Sequence, residues 1–265
     1  MSNDTLRIIN SEKAKSYIAQ NKREDGRGFL DHRPIEVKKD VINSAEGSAW
    51  VKIGNTEVVA GIKFGISAPY PNSPNQGSMV FNLEITNIAS QDVETGPPSL
   101  ETMEFGRVAD RVIRSAEFVD FEKLCIVPGE KVLTIFVDCY AINADGNLID
   151  AAEFAALTAI LNCKMPKLDE NNDIIAKEYT DKKLPVNEKN IPISFTFFKV
   201  EDQIILDATD GEDYAASARF TLGVCNDVIV AYHKGGNAGT FTVEEINKMM
   251  DIATSKYNEI KSKLI

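Results

Sequence analysis

Apolar and polar side chains alternate between residues 49 and 64, which is the pattern of a β-hairpin with one buried face. Ala49, Val51 and Ile53 share one face of the first strand. After a Gly54-Asn55 turn, the same face continues on the second strand through Val58, Ala60, Ile62 and Phe64. Similar patterns predict further strands at residues 78–88, 132–142, 191–200, 203–208, 216–223 and 228–232.

Apolar residues that recur every three or four positions predict four helices. They cover residues 8–20, 100–118, 149–161 and 242–265. The third helix is apolar nearly all round, which indicates burial on every side. The fourth begins with a capping box between Thr242 and Glu245, and its apolar stripe is interpreted as core or subunit contact.

The order of these elements predicts an α+β protein in two halves. Residues 94–99 interrupt the pattern after the 78–88 strand, and the charge-dense segment 164–190 is interpreted as a hairpin followed by a linker. We therefore predict an N-terminal helix and arm at 1–24, a first half at 25–187 and a second half at 188–265.

Composition is that of a soluble globular protein, with 43% hydrophobic and 26% charged residues among 265. No apolar run has the length of a membrane span, and the first residues lack the features of a signal peptide. A cytoplasmic protein with no membrane partner is predicted. The four cysteines show no C-x-x-C spacing and the two histidines lie far apart, so no metal site is predicted.

Charge argues against a general affinity for nucleic acid, because 40 acidic residues face 29 basic ones and the net charge is −11. Three of the eight arginines nevertheless lie within RVADRVIR, at Arg107, Arg111 and Arg114. On a helix they fall within an arc of about 60°, opposite the apolar face. They either form ion pairs with neighbouring acids such as Asp110 or make a local anion site.

Two further motifs are ambiguous or weak. HKGGNAGTF has its glycines in the wrong order for a dinucleotide-binding loop and is interpreted as a glycine-rich connection. ILDATDGED clusters four carboxylates, including Asp207 and Asp213, after a strand. Such a cluster can bind Mg²⁺ or act as acid and base, but it is also typical of a surface turn.

Seven stretches together resemble the ribonuclease PH family. They run in order from EDGRGFLDHRPI through GSAWVKIGNTEVVAGIKFGI, PNQGSMVFNLEI, RVADRVIRSAEF and VDCYAINADGNLIDAAEFAALTAI to LPVNEKNIPISFTFF and ILDATDGED. The resemblance covers almost the whole chain from Asp25 and is greatest to the non-catalytic ring subunit of the archaeal exosome. It implies the ribonuclease PH fold, with two β-α-β-α-type halves of the kind found in ribosomal protein S5 domain 2.

Active members of that family cleave RNA from its 3′ end with inorganic phosphate, which they hold where a turn leads into the buried helix. The resemblance places Asn147, Leu148, Ile149 and Asp150 there. Leu148 stands for a hydroxyl residue and Ile149 for an arginine. Asp150 is expected at the N-cap, where its carboxylate would take the free N–H groups and repel phosphate.

A degenerate phosphate site of this kind implies a non-catalytic subunit. Asp207 and Asp213 match acidic positions of active members, and we interpret them as remnants or structural turn residues. They keep open the alternative that the chain is itself a phosphate-dependent 3′-to-5′ exoribonuclease.

The same resemblance implies a set of partners. Arg107 and Arg111 match arginines that reach into the RNA path, and Arg114 lies on the same face. Single-stranded RNA, a catalytic paralogue in a heterohexamer of three pairs, and RNA-binding cap subunits are implied, with no cofactor. Outside the family, an α+β scaffold whose arginines form only surface ion pairs is the remaining hypothesis.

Overall fold

The computed structural model describes residues 3–90, 93 and 96–265. Residues 94 and 95 of the predicted break lie outside the described residues. Five helices and three sheets make up the described part of the chain, so the predicted α+β class is confirmed. No helix in this part is both long and apolar enough to cross a bilayer.

The first half is built on a six-stranded sheet. Its strands are β1 (Ile35–Lys39), β2 (Gly47–Ile53), β3 (Thr56–Ser67), β4 (Ser78–Ile85), β5 (Cys125–Val127) and β6 (Lys131–Asn143). The order is β1-β2-β3-β6-β4, with β5 also paired to β6, and only β4 runs parallel to its neighbour. Strands β2 and β3 form the predicted hairpin, with Ile53 opposite Thr56, and its predicted apolar face is buried from Ala49 to Ile62.

The second half contains a four-stranded antiparallel sheet in the order β10-β9-β11-β12. These strands are β9 (Ile193–Val200), β10 (Gln203–Leu206), β11 (Ala218–Cys225) and β12 (Val228–Gly235). The predicted hairpin between the halves is β7 (Lys164–Leu168) with β8 (Ile174–Lys183). The proposed boundary after residue 187 stays a prediction.

Five helices cover or join the sheets: α1 (Asn3–Ala19), α2 (Leu100–Ser115), α3 (Leu148–Asn162), α4 (Asp210–Ala215) and α5 (Val243–Leu264). The capping box of Thr242 and Glu245 is present at the start of α5. Helix α4 was not predicted. It is a single capped turn in which the Thr209 N–H donates to Glu212, 2.9 Å away.

Helix α3 is the centre of the core and is buried on all sides between the two sheets, as predicted. Two acidic residues on it face β9. Asp150 accepts hydrogen bonds from the backbone N–H and the hydroxyl of Thr196, at 3.0 and 2.7 Å. Glu153 accepts two bonds from Ser194, both 3.3 Å long, and burial raises the pKa of Glu153 well above its usual range.

The prediction that Asp150 is the N-cap of this helix is wrong. The helix begins earlier, at Leu148, and its N-cap is Asn147 in the left-handed conformation. Asp150 therefore lies inside the first turn, and its carboxylate bonds to Thr196 of the neighbouring strand instead of capping its own helix.

Helix α2 packs against both halves of the molecule. At Gly106 it approaches β4 so closely that an added Cβ would lie 3.3 Å from the Cβ of Leu83. On the other side, a Cβ added to Gly223 of β11 would lie 3.0 Å from the methyl groups of Val112. These two glycines allow α2 to lie close to both sheets, which fixes the direction of its exposed face.

Candidate functional site

Arg107 and Arg111 extend from the exposed face of α2, whose opposite face is buried through Phe105, Val108 and Val112. The helix starts at a Ser99 cap, whose hydroxyl accepts the Thr102 N–H at 3.1 Å. Within the described residues, neither arginine has a hydrogen bond or an ion pair with another side chain. The two guanidinium groups are therefore available to an external anion.

Arg114 differs from these two arginines although it lies on the same helix. Its Nε atom is 2.9 and 2.7 Å from the two carboxylate oxygens of Asp110. Its Nη2 atom donates to the backbone oxygen of Met79, and its guanidinium lies over the ring of Phe121. The interpretation as a local ion pair therefore applies to Arg114, which we leave out of the candidate anion site.

A second group of side chains joins this site from the second half. The Oε1 atom of Glu104 lies 2.9 Å from Nη2 of Arg219 on β11 and 3.0 Å from Nε2 of His233 on β12. Arg219 is buried and its guanidinium lies 4.5 Å from the ring centroid of Phe105. This cluster could not be predicted from local sequence patterns, because Glu104 and His233 are 129 positions apart.

The residues of the turn before α3 form hydrogen bonds within the chain. Asn147 donates from Nδ2 to Asp150 at 2.9 Å and to Asp207 at 2.8 Å. Gly146 has a φ of +75°, and an added Cβ would lie 2.5 Å from the backbone oxygen of Ala208. The side chains of Leu148 and Ile149 are apolar and buried, so neither brings a hydroxyl or a charge to this turn.

Asp207 is fully buried, so the surface-turn alternative does not describe it, and its interpretation as a remnant or a structural residue stays a prediction. Arg33 donates to it from Nε and Nη2, at 2.9 and 2.8 Å, and Arg27 donates from Nη1 at 3.1 Å. Burial alone would raise the pKa of this carboxyl, but His32, Arg33 and Asn147 together hold its pKa far below the usual range. Asp207 is thus an anion that is held by its neighbours and cannot release or accept a proton near neutral pH.

Asp213 is partly buried and lines an open cavity of about 1160 Å³ next to Asn147 and Arg219. Burial raises its pKa to about 6, although Arg219 and the Asn147 N–H oppose this rise. The two predicted carboxylates therefore have opposite electrostatic environments. Within the described part of the chain, no group of three or more histidine, cysteine, aspartate or glutamate side chains is arranged to hold a metal ion.

Comparison with protein families gives a match over most of the chain. Residues 31–166 match domain 1 of the 3′ exoribonuclease family, RNase_PH, and residues 190–256 match domain 2. The chain belongs to the ribonuclease PH family. The predicted family resemblance is confirmed, and the family's two domains meet in this chain at the buried face of α3.

Similar members of the family come from archaea. A protein named exosome complex component Rrp42 from Thermococcus kodakarensis is 38% identical over 248 residues, which are 94% of this chain and 91% of that protein. Its namesake from Pyrococcus furiosus is 37% identical over 98% of this chain and 95% of its own length. The chain therefore spans nearly the full length of both relatives.

Solved structures confirm the ribonuclease PH fold. A chain of the Archaeoglobus fulgidus exosome with RNA bound to the active site superposes with a TM-score of 0.90 at 35% identity, covering 98% of this chain and all of that one. A chain of an archaeal exosome core gives a TM-score of 0.87 at 34% identity, covering 100% of this chain and 99% of that one. Rice Rrp46, at 18% identity and a TM-score of 0.65, shares the fold.

Proposed function

We propose that this chain is a structural and RNA-binding subunit of an exosome ring. It pairs with a catalytic paralogue, three such pairs close a hexamer, and RNA-binding cap subunits dock on that ring. The pair degrades single-stranded RNA from its 3′ end, while this chain performs no phosphorolysis itself. Action in the cytoplasm belongs to the same proposal and stays a prediction.

The composition and hydrogen bonding of the turn before α3 carry the proposal. A phosphate needs free N–H groups and a cation at a helix N-terminus. Here Leu148 and Ile149 offer neither a hydroxyl nor a charge, and Asn147 is bonded to two carboxylates. The carboxylate of Asp150, whose described partners are the neutral residues Asn147 and Thr196, would also repel a bound phosphate.

The arginines of α2 support the RNA-binding part of the proposal. Arg107 and Arg111 are exposed, while the nearby Arg114 is bonded to Asp110. A planar guanidinium donates two parallel hydrogen bonds to a phosphate and keeps its charge at all physiological pH values. Because the chain as a whole is acidic, RNA would meet it only along this local surface.

Names of similar proteins agree with this assignment. The archaeal relatives are named as exosome components, and a similar solved chain belongs to an exosome that holds RNA in its active site. We infer that Arg107 and Arg111 contribute to the active site of the partner, because both are exposed and neither is bonded to a side chain among the described residues.

Release of nucleoside diphosphates from 5′-labelled poly(A), with phosphate and Mg²⁺ present, tests the proposal. The chain is assayed alone, and then mixed with the ribonuclease-PH-like paralogue of the same organism. We expect no turnover alone and rapid turnover in the mixture. Turnover by the chain alone that is lost in Asp213→Asn would establish the alternative, an exoribonuclease in its own right, and contradict the proposal.

A further inference from the structure

A groove runs along the outer face of α2 beside the edge strand β12, with a volume of about 350 Å³. Leu100, Met103 and Val108 form its apolar lining. The first two side chains are exposed by 83% and 40%. This volume lies in the lower part of the range of sites for small organic groups.

Two positively charged side chains belong to the same lining. Arg107 and Arg111 line the groove at helical positions i and i+4, which places them on the same side of the helix. His233 on β12 also lines the groove, and its ring is held by Glu104. A flat apolar group between two anions would match this arrangement.

The Glu104 carboxylate also lines the groove, but its negative charge is already paired and does not prevent an anion from binding there. Glu104 is paired with Arg219, which is only 4% exposed and stacks on Phe105. Its charge is therefore compensated from below, whereas the charges of Arg107 and Arg111 are not compensated by any described side chain. The lining therefore carries two uncompensated positive charges in a chain of net charge −11.

We propose that the groove binds one nucleobase of single-stranded RNA, with Arg107 and Arg111 on the flanking phosphates. The inference rests on the proposed function and deepens it, since it assigns a base-contacting role in addition to backbone contacts. Leu100 and Met103 pack against the face of the base, and the ring of His233 borders its edge. Binding by the face of the base is independent of sequence, because every base has an apolar face.

Equilibrium binding of two probes to the assembled ring tests this inference. One probe is a short oligoadenylate, and the other is an oligomer of equal length with the same ribose-phosphate backbone and no bases. Phosphate and Mg²⁺ are omitted so that no turnover occurs. The double variant Leu100→Ser and Met103→Ser removes two of the three apolar side chains of the lining without a change of charge. Val228→Ser, an exposed apolar position on β12 outside the groove, is the matched control.

We expect the double variant to bind oligoadenylate about five- to tenfold more weakly, because it no longer buries two apolar side chains against the base. Its affinity for the abasic oligomer stays unchanged, and Val228→Ser binds both probes like the wild type. Equal weakening for both probes, or none for either, overturns the inference. So does loss of ring assembly in the double variant, since the groove would then bind a protein surface.

A separate variant distinguishes failure of this inference from failure of the proposed function. Arg107→Ala with Arg111→Ala should weaken binding of both probes, because phosphates are common to both. If this variant binds both probes normally, the RNA-binding role itself fails. If it weakens both while the Leu100 and Met103 variant changes neither, only the base-binding inference fails.

Discussion

Arg33 binds the carboxylate of Asp207 through two parallel hydrogen bonds, from Nε and Nη2 to the two carboxylate oxygens. Arg33 precedes β1 in the first half of the chain, and Asp207 follows β10 in the second. Both side chains are buried, and the backbone N–H of Arg33 donates to the same carboxylate at 2.8 Å. The pair therefore ties the segment before β1 to the second sheet.

Replacement of Asp207 by Asn should lower the free energy of unfolding by about 3–5 kcal/mol, because it leaves a buried arginine without its counter-charge. Urea unfolding measures this loss. The folded-state pKa of Asp207 lies far below its unfolded value near 3.9, so the stabilisation is complete above about pH 4 and declines as pH falls further. The difference in unfolding free energy between variant and wild type should shrink in acid.

The control for this prediction is Asp202→Asn, at an exposed turn, which should change stability by less than about 0.5 kcal/mol.

Replacement of Asp213 by Asn should have the opposite effect on stability. The pKa of Asp213 is raised to about 6 in the folded protein, so the folded state binds this proton more tightly than the unfolded state. The resulting stabilisation is present in acid and is lost as pH rises through about 6. We expect the variant to be about 1–2 kcal/mol more stable than wild type near pH 8 and equal to it near pH 4. Urea unfolding at both pH values provides the measurement. Phosphorolysis by the assembled ring should be unchanged, and a large loss of activity would contradict a non-catalytic role.

Affinity for single-stranded RNA should depend on Arg107 and Arg111 of α2 but not on Arg114. Replacement of both Arg107 and Arg111 by Ala removes two phosphate contacts, and we expect affinity to fall by about 1.5–3 kcal/mol per arginine. The slope of log affinity against log salt should decrease by about 1.4 in magnitude. Arg114→Ala is the matched control and should bind RNA normally, because that side chain is already bonded to Asp110 and Met79. Equal losses in both variants would refute the assignment.

The packing of the turn before α3 can be tested at Gly146, with Gly129, between β5 and β6, as the matched control. Both have a positive φ, +75° and +78°, but only Gly146 lies against other backbone atoms. Alanine should cost about 1–2 kcal/mol at either position through conformation alone. At Gly146 the added Cβ also meets Ala208, which should cost about 1–3 kcal/mol more. Thermal or urea unfolding compares the two variants, and equal losses would mean that the turn can open.

Regular patterns made much of the fold predictable. The β2–β3 hairpin, the buried helix α3 and the capped helix α5 each follow a strong local period or cap, and each lies close to its predicted position. Helix α4 was missed because six residues are too few to show a helical period. The start of α3 was misplaced because a helix that is apolar on all sides has no polar face to mark where it begins.

The site was less predictable because distant segments build it. A helical wheel places Arg114 beside Arg111, but Met79 on β4 and the ring of Phe121 decide that Arg114 is occupied. Burial of Asp207 likewise depends on Arg33, 174 positions away. Contacts of this kind leave no local period or spacing in the sequence.

The close packing of α2 at Gly106 and Gly223 has a consequence for folding cooperativity. Although the family divides this chain into two domains, one helix shares its buried faces with both sheets, and α3 lies between them. Neither half can unfold alone without exposing the apolar surface of the other. The two domains should therefore melt in one transition, with equal calorimetric and van't Hoff enthalpies.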